Sequence, residues 1–233
     1  MIGALGATGC AADSGDGGIL VLKNVRADVD CTSTSLTTET SVPHGSLDLL
    51  LPNDYLFIAQ MKSRITALDG EEDQKTIITS DAKIDITFPG STLFSASDLT
   101  MLHDSGLTHF KSLFTAPIAP NGGISDGGFT LIPLELVKAI AAKAAATDRI
   151  EAVTMFTIDG DMSGENIVSQ PFTYGVTIGT GIGINVAGTC PLPVSFGMPR
   201  TGYSCNLAQD GIVDCCTDPT TKALVCPAKI STM

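Results

Sequence analysis

Between residues 45 and 178 the chain alternates apolar and polar positions in a way that predicts strands. "GSLDLLL" and "DYLFIAQMKSRI" read as two strands separated by the turn residues Pro52 and Asn53. In "TIITSDAKIDITF", Ile84, Ile86 and Phe88 alternate with Lys83, Asp85 and Thr87, the period of a strand buried on one face. Asp69, Gly70 and the following "EED" mark the acidic loop before it. Residues 89–126 are less regular, rich in Ser, Pro and Gly, and predict short strands with an excursion around "LHDSGLTHFKSL". The period then changes. Phe129 and Leu131 fit a strand, whereas Pro133 suits a first helical turn and Leu134, Val137, Ala141 and Ala144 fall on one face of a short helix, with Lys138 and Lys143 off it. "RIEAVTMFTIDG" and "GENIVSQPFTYGVTI" follow as strands paired across a tight turn, and from Gly188 onward periodicity gives way to a Pro-, Cys- and Gly-rich tail.

Many strands at short spacing with one helix in a crossover predict a mainly β fold. The expected architecture is an immunoglobulin/fibronectin-III-like antiparallel β-sandwich with one short helix and a disulfide-stapled C-terminal tail. The Cys and Trp signature of antibody domains is missing, so only the architecture carries over. Composition agrees with a packed body: 43% of residues are apolar and 16% charged, and 233 residues suffice for a sizeable core. The net charge of −12, from 25 acidic against 13 basic residues, excludes a nucleic-acid partner, because phosphate binding needs clustered Lys and Arg. It also opposes electrostatic adsorption to anionic lipid. No run of about 18 apolar residues marks a membrane-spanning helix.

The N-terminus "MIGALGATGC" resembles the end of a bacterial lipoprotein signal: an apolar run, small residues, then the cysteine that is cleaved and lipidated. Ala7 stands where Leu is usual and no Lys or Arg precedes the run, so the true translation start is expected upstream of Met1. "AADSGDGG" after Cys10 has the composition of a solvated spacer. Residues 1–18 thus read as a truncated lipoprotein signal and flexible linker, 19–187 as the β-sandwich, and 188–233 as a Cys-rich tail packed on the same domain.

The cysteine count changes the picture further. Seven are present: Cys10, Cys31, Cys190, Cys205, Cys215, Cys216 and Cys226. An odd number in an exported chain asks which one stands apart. Lipidation of Cys10 leaves an even set for disulfides, and since five of that set crowd into the tail, Cys31 must pair into the cluster, a closure worth about 5 kcal/mol in the chain-entropy model. Cys215 and Cys216 should reach different partners, because adjacent Cα atoms stand about 3.8 Å apart and relaxed disulfides want about 4.4–6.8 Å. Beyond that the connectivity is open. A zinc site is the rival reading, but there is no Cys-x-x-Cys pair and His44, His103 and His109 lie far upstream. Disulfides imply an oxidising compartment.

Three stretches, "HGSLDLLLPNDYLFIAQMKSRI", "FTIDGDMSGENIVSQPFTYGVTI" and "CNLAQDGIVDCCTDPTTKALVCPA", together resemble uncharacterised bacterial lipoproteins with a β-sandwich body and a cysteine-rich C-terminal tail. The resemblance covers most of the chain from Gly18. It implies a location on the cell envelope, at the outer membrane or cell surface, and no established activity. Members of that group usually carry an additional cysteine pair after the last strand; here that stretch reads "GTGIGINVAGTC", which implies that one bridge is lost and leaves Cys190 nearby.

Candidate chemistry is sparse. Asp159, Asp161, Ser163 and Glu165 in "DGDMSGE" have the spacing that opens a calcium loop, but the twelfth position is Gln170 and strands flank the segment, so a hairpin turn is the simpler reading. Asp210 and Asp214 in "QDGIVDCC" sit at an Asp-Gly turn signal. His103 and His109 could share a loop with Asp104, while His44 lies in a Pro/Gly turn. No Gly-x-Ser-x-Gly elbow frames a nucleophile. "TIGTGIGIN" carries Gly179, Gly181 and Gly183 after a strand, yet a phosphate loop would need a helix next, so the segment reads as an irregular strand or turn. The resulting expectation is a lipid-anchored, non-catalytic envelope protein with a binding, adhesion or structural role. It would have a membrane contact through the anchor, a protein or glycan partner at the cell surface, and no cofactor. The alternatives are a secreted hydrolase whose site forms only in the fold and a calcium-dependent adhesion module.

Overall fold

The computed structural model describes residues 16–26, 41–190 and 208–226. In chain order the elements are β1 (Asp16–Asn24), β2 (Gly45–Asp48), β3 (Tyr55–Ser63), β4 (Ile77–Thr87), α1 (Ala96–Asp104), β5 (His109–Leu113), β6 (Pro117–Ile118) and β7 (Ile124–Ile132). They continue with α2 (Leu134–Lys143), β8 (Arg149–Met162), β9 (Glu165–Ser169), β10 (Phe172–Gly179), β11 (Ile184–Thr189), β12 (Val213–Thr217) and β13 (Leu224–Val225).

The long strand β8 is the hub. One edge pairs with β4, and the other takes β10 along Arg149–Phe156 and β9 along Asp159–Met162. β9 and β10 are a single returning strand interrupted at Pro171, whose missing N–H cannot extend a ladder. The turn into β9 is set by Ser163 and Gly164, both at positive φ (54° and 88°), the two-residue hairpin geometry that matches strand twist. From β9 the sheet continues through β1 and β3 to β7, and from β10 it ends on β2. The sheet folds over so that β3 and β7 face β8 and β10. Phe57 on β3 is fully buried, with its ring 5.5 Å from Phe129, 5.1 Å from Phe156, 6.0 Å from Phe172 and 5.0 Å from Tyr174. Burying such a ring contributes about 1.5–3 kcal/mol by transfer alone.

Four features differ from the sequence reading. The sheet is mixed, not antiparallel: β1 with β9, β2 with β10 and β11 with β12 run parallel. These pairs join segments far apart in sequence, and strand period carries no partner information. There are two short helices among the described residues, not one. α1 was hidden because it buries only Leu102 and so has little periodicity, although Ser95 and Asp98 form a complete capping box at its start. "GSLDLLL" is a strand only to Asp48. In α2 the buried face centres on Leu136, Val137 and Ile140, so Leu134 sits half-buried at its edge.

The tail forms a separate three-stranded sheet, β11-β12-β13. Cys190 bonds Cys216 and Cys215 bonds Cys226, so the adjacent pair reaches two different partners. Ile184, Val213 and Cys215 make a small core that leans on Leu50 and Leu51 of the body. Cys10, Cys31 and Cys205 lie outside the described residues.

Candidate functional site

Two buried carboxylates join the tail to the body. Asp48, at the end of β2, is completely buried and accepts four backbone N–H groups: Leu50 (2.9 Å) and Gly181 (3.0 Å) on Oδ1, Gly183 (2.7 Å) and Ile184 (2.8 Å) on Oδ2. The glycine-rich segment is therefore an anion-cradling nest of backbone donors, filled by the protein's own side chain. Its sequence context hid this, because the anion comes from a residue more than a hundred positions upstream. A Cβ at Gly183 would stand 2.8 Å from the Gly211 carbonyl, so only glycine lets the segment lie this close to the tail.

Asp210 is the second junction. Its carboxylate accepts the Ser46 N–H (2.8 Å), the Tyr55 hydroxyl (2.7 Å) and the Gln209 amide (2.9 Å). Burial pushes the Asp210 carboxyl up despite these bonds, which act in the opposite direction. The Tyr55 hydroxyl, also buried and facing Asp210, is pushed well above its usual value, and Tyr174 is pushed up to about 12 by burial. Asn24 donates to both tyrosine oxygens (3.2 and 3.0 Å), and Tyr174 donates to the Val42 carbonyl (3.0 Å). Gln209 next door mimics a strand residue: its Oε1 accepts the Leu56 N–H (2.9 Å) and its Nε2 donates to the Leu56 carbonyl (2.6 Å). This network is structural glue: every group in it has its partner inside the fold.

The four residues of the calcium reading are engaged by the hairpin and its neighbours. Asp159 pairs with Lys83 at 2.6 Å, and that bond holds the Lys83 ammonium above its usual range. Asp161 accepts the Gly164 N–H (3.0 Å), Ser163 donates to the Gln74 carbonyl (2.7 Å), and Glu165 stands opposite Met162 in the ladder. Among the described residues no three His, Cys, Asp or Glu side chains gather as a metal cage.

The histidines lie on the surface. His103 and His109 stack with ring centroids 5.4 Å apart, each more than half exposed, with Asp85 on the Nδ1 of His109 and Asp104 beside His103. His44 meets the Thr177 hydroxyl (2.9 Å), but Thr177 donates its proton to Glu151 (3.0 Å). The histidine nitrogen is thus the donor in this chain and does not activate the hydroxyl as a nucleophile.

A polar cleft of 420 Å³ opens where the Gly90–Leu93 turn, the end of α2 and the start of β8 converge. No local pattern in the sequence marks it, because Ser91 and Arg149 belong to segments with no motif. Its cations are Lys143, paired with Asp98 at 2.7 Å, and Arg149. The Lys143 and Ser95 bonds hold Asp98 down at about 2, well below the ordinary carboxylate value of 3.8.

No protein-family model matches the chain, and no curated protein matches it. Among solved structures it is similar to AggA, the major subunit of aggregative adherence fimbriae type I from Escherichia coli, at 9% identity and a TM-score of 0.22, over 60% of this chain and 90% of that one. A likeness of that size is too small to carry fold or activity from one chain to the other.

Proposed function

We propose that this chain is an exported module of the cell envelope, lipid-anchored at Cys10, with a binding, adhesion or structural role and no catalysis of its own. The supporting observation is the tail: a small sheet closed by two disulfides and sutured to a mainly β body through Asp48 and Asp210. Such bridges persist in oxidising compartments. The folded-over sheet reads as a variant of the immunoglobulin-like sandwich, a body that presents surfaces and loops. The hydrolase alternative draws no support from His44, His103 or His109, whose partners orient the rings on an open face. Intact-mass spectrometry of protein extracted from membranes tests the reading. The expected result is acyl mass on Cys10 and loss of two hydrogens for each bridge; an unmodified Cys10 together with free tail thiols would overturn it.

A further inference from the structure

The geometry points to the cleft between the Gly90–Leu93 turn and Arg149 as a binding site for a carboxylate-bearing saccharide. This deepens the binding reading above and rests on it. The walls are preformed. Ser91 donates its N–H to the Phe88 carbonyl (3.3 Å), with Gly90 at φ 71° in the left-handed position, and the Ser91 hydroxyl accepts the Leu93 N–H (3.2 Å). Opposite, Asp148 closes its own turn by accepting the Ala145 N–H (2.7 Å).

Arg149 is positioned in a specific way. A Cβ at Gly179, its ladder partner, would meet Arg149 Cδ at 2.8 Å and Nη1 at 3.0 Å, so the glycine is what allows the side chain to lie across β10. Nη1 then donates to the Asp148 carbonyl (2.9 Å). That bond engages Nη1 and leaves the Nε–Nη2 edge, the edge that grips a carboxylate with two parallel hydrogen bonds. Lys143, its ammonium held by Asp98 and 5.6 Å from the Phe94 ring centre, adds a second cation of fixed position. Ser91 and Thr92 supply hydroxyls for sugar hydroxyl groups, and the half-buried Leu93 supplies a small apolar contact on an otherwise polar lining. The volume of 420 Å³ falls at the small end of ligand clefts, about 300–1,000 Å³, which suits one sugar ring or a short chain end.

The test is an amide-shift NMR titration of the ¹⁵N-labelled full chain with glucuronic acid and with N-acetylneuraminic acid, beside glucose and acetate. The expected result is saturable shifts at Gly90–Leu93 and Lys143–Ile150 with millimolar or tighter affinity, weakened by added salt. Arg149→Ala should weaken binding at least tenfold without changing the melting temperature, and Arg149→Lys should fall between. No shifts at the cleft, equal binding of glucose, or equal binding of acetate would each overturn the proposal, the last by showing a bare carboxylate site. The wild-type titration decides the matter even if a variant folds poorly. Acylation of Cys10 is read by mass and does not enter this titration, so the two readings fail separately.

Discussion

Asp48 and Gly45 show how much of this fold rests on single side chains that no local pattern marks. Asp48 reads as a polar interruption in "LDLLL", and its role is visible only once four backbone donors converge on it. Gly45 is needed because a Cβ there would fall 2.4 Å from the Tyr55 hydroxyl and displace the ring that binds Asp210. Replacing Asp48 by Ala leaves buried N–H groups unmet, each costing about 1–3 kcal/mol where water cannot reach. Partial hydration of the Leu50 and Gly181 N–H groups, which are only partly buried, brings the expected loss to about 3–4 kcal/mol. Urea denaturation of Asp48→Ala measures it, and a loss below about 1 kcal/mol would show that the nest does not need its anion.

At the scale of elements, the two helices are tied to each other by Lys143 and Asp98, with the Lys143 ammonium near Phe94. The Asp98 carboxyl titrates at about 2 when folded against an ordinary 3.8, so it favours the native state above the higher value. That contribution fades as pH falls from 3.8 through about 2. Asp210 acts in the opposite sense: its raised folded value means the native state holds the proton more tightly, and its contribution is lost as pH rises above 3.8. Melting temperatures of the wild type and Asp98→Asn across this acid range should therefore differ most at the upper end and converge at the lower end. Parallel curves would show that the Lys143 bond does not operate in solution. The strands β3, β4, β8 and β10 were legible in the sequence because a half-buried ladder imposes its period locally. α1 was not, since a helix with one buried residue leaves only its capping box as a signal.

Across the whole molecule the tail has its own small sheet and core beside the body. Its core of Ile184, Val213 and Cys215 is slight, and its bridges close loops with sequence separations of 26 and 11 residues. Each closure is worth about 3 kcal/mol in the chain-entropy model. The aromatic cluster around Phe57 needs neither bridge. Reduction with dithiothreitol should therefore strip hydrogen-exchange protection from Val213, Cys215 and Cys216 while β3, β4 and β8 remain protected. Simultaneous loss of protection in both regions would show that body and tail unfold as one.

What the sequence alone determined is what short-range physics dictates: the strand periods, the Ser163-Gly164 hairpin, and the impossibility of a relaxed bridge between neighbouring Cys215 and Cys216. Only the tertiary structure decided which strands run parallel, which anion fills the Gly181–Ile184 nest, and that Arg149 lies over Gly179 at the rim of a cleft. The division has one cause. Hydrophobic period repeats within a few residues and is written along the chain, whereas a hydrogen-bond acceptor or a guanidinium acquires its role from groups that chain folding brings together from distant positions.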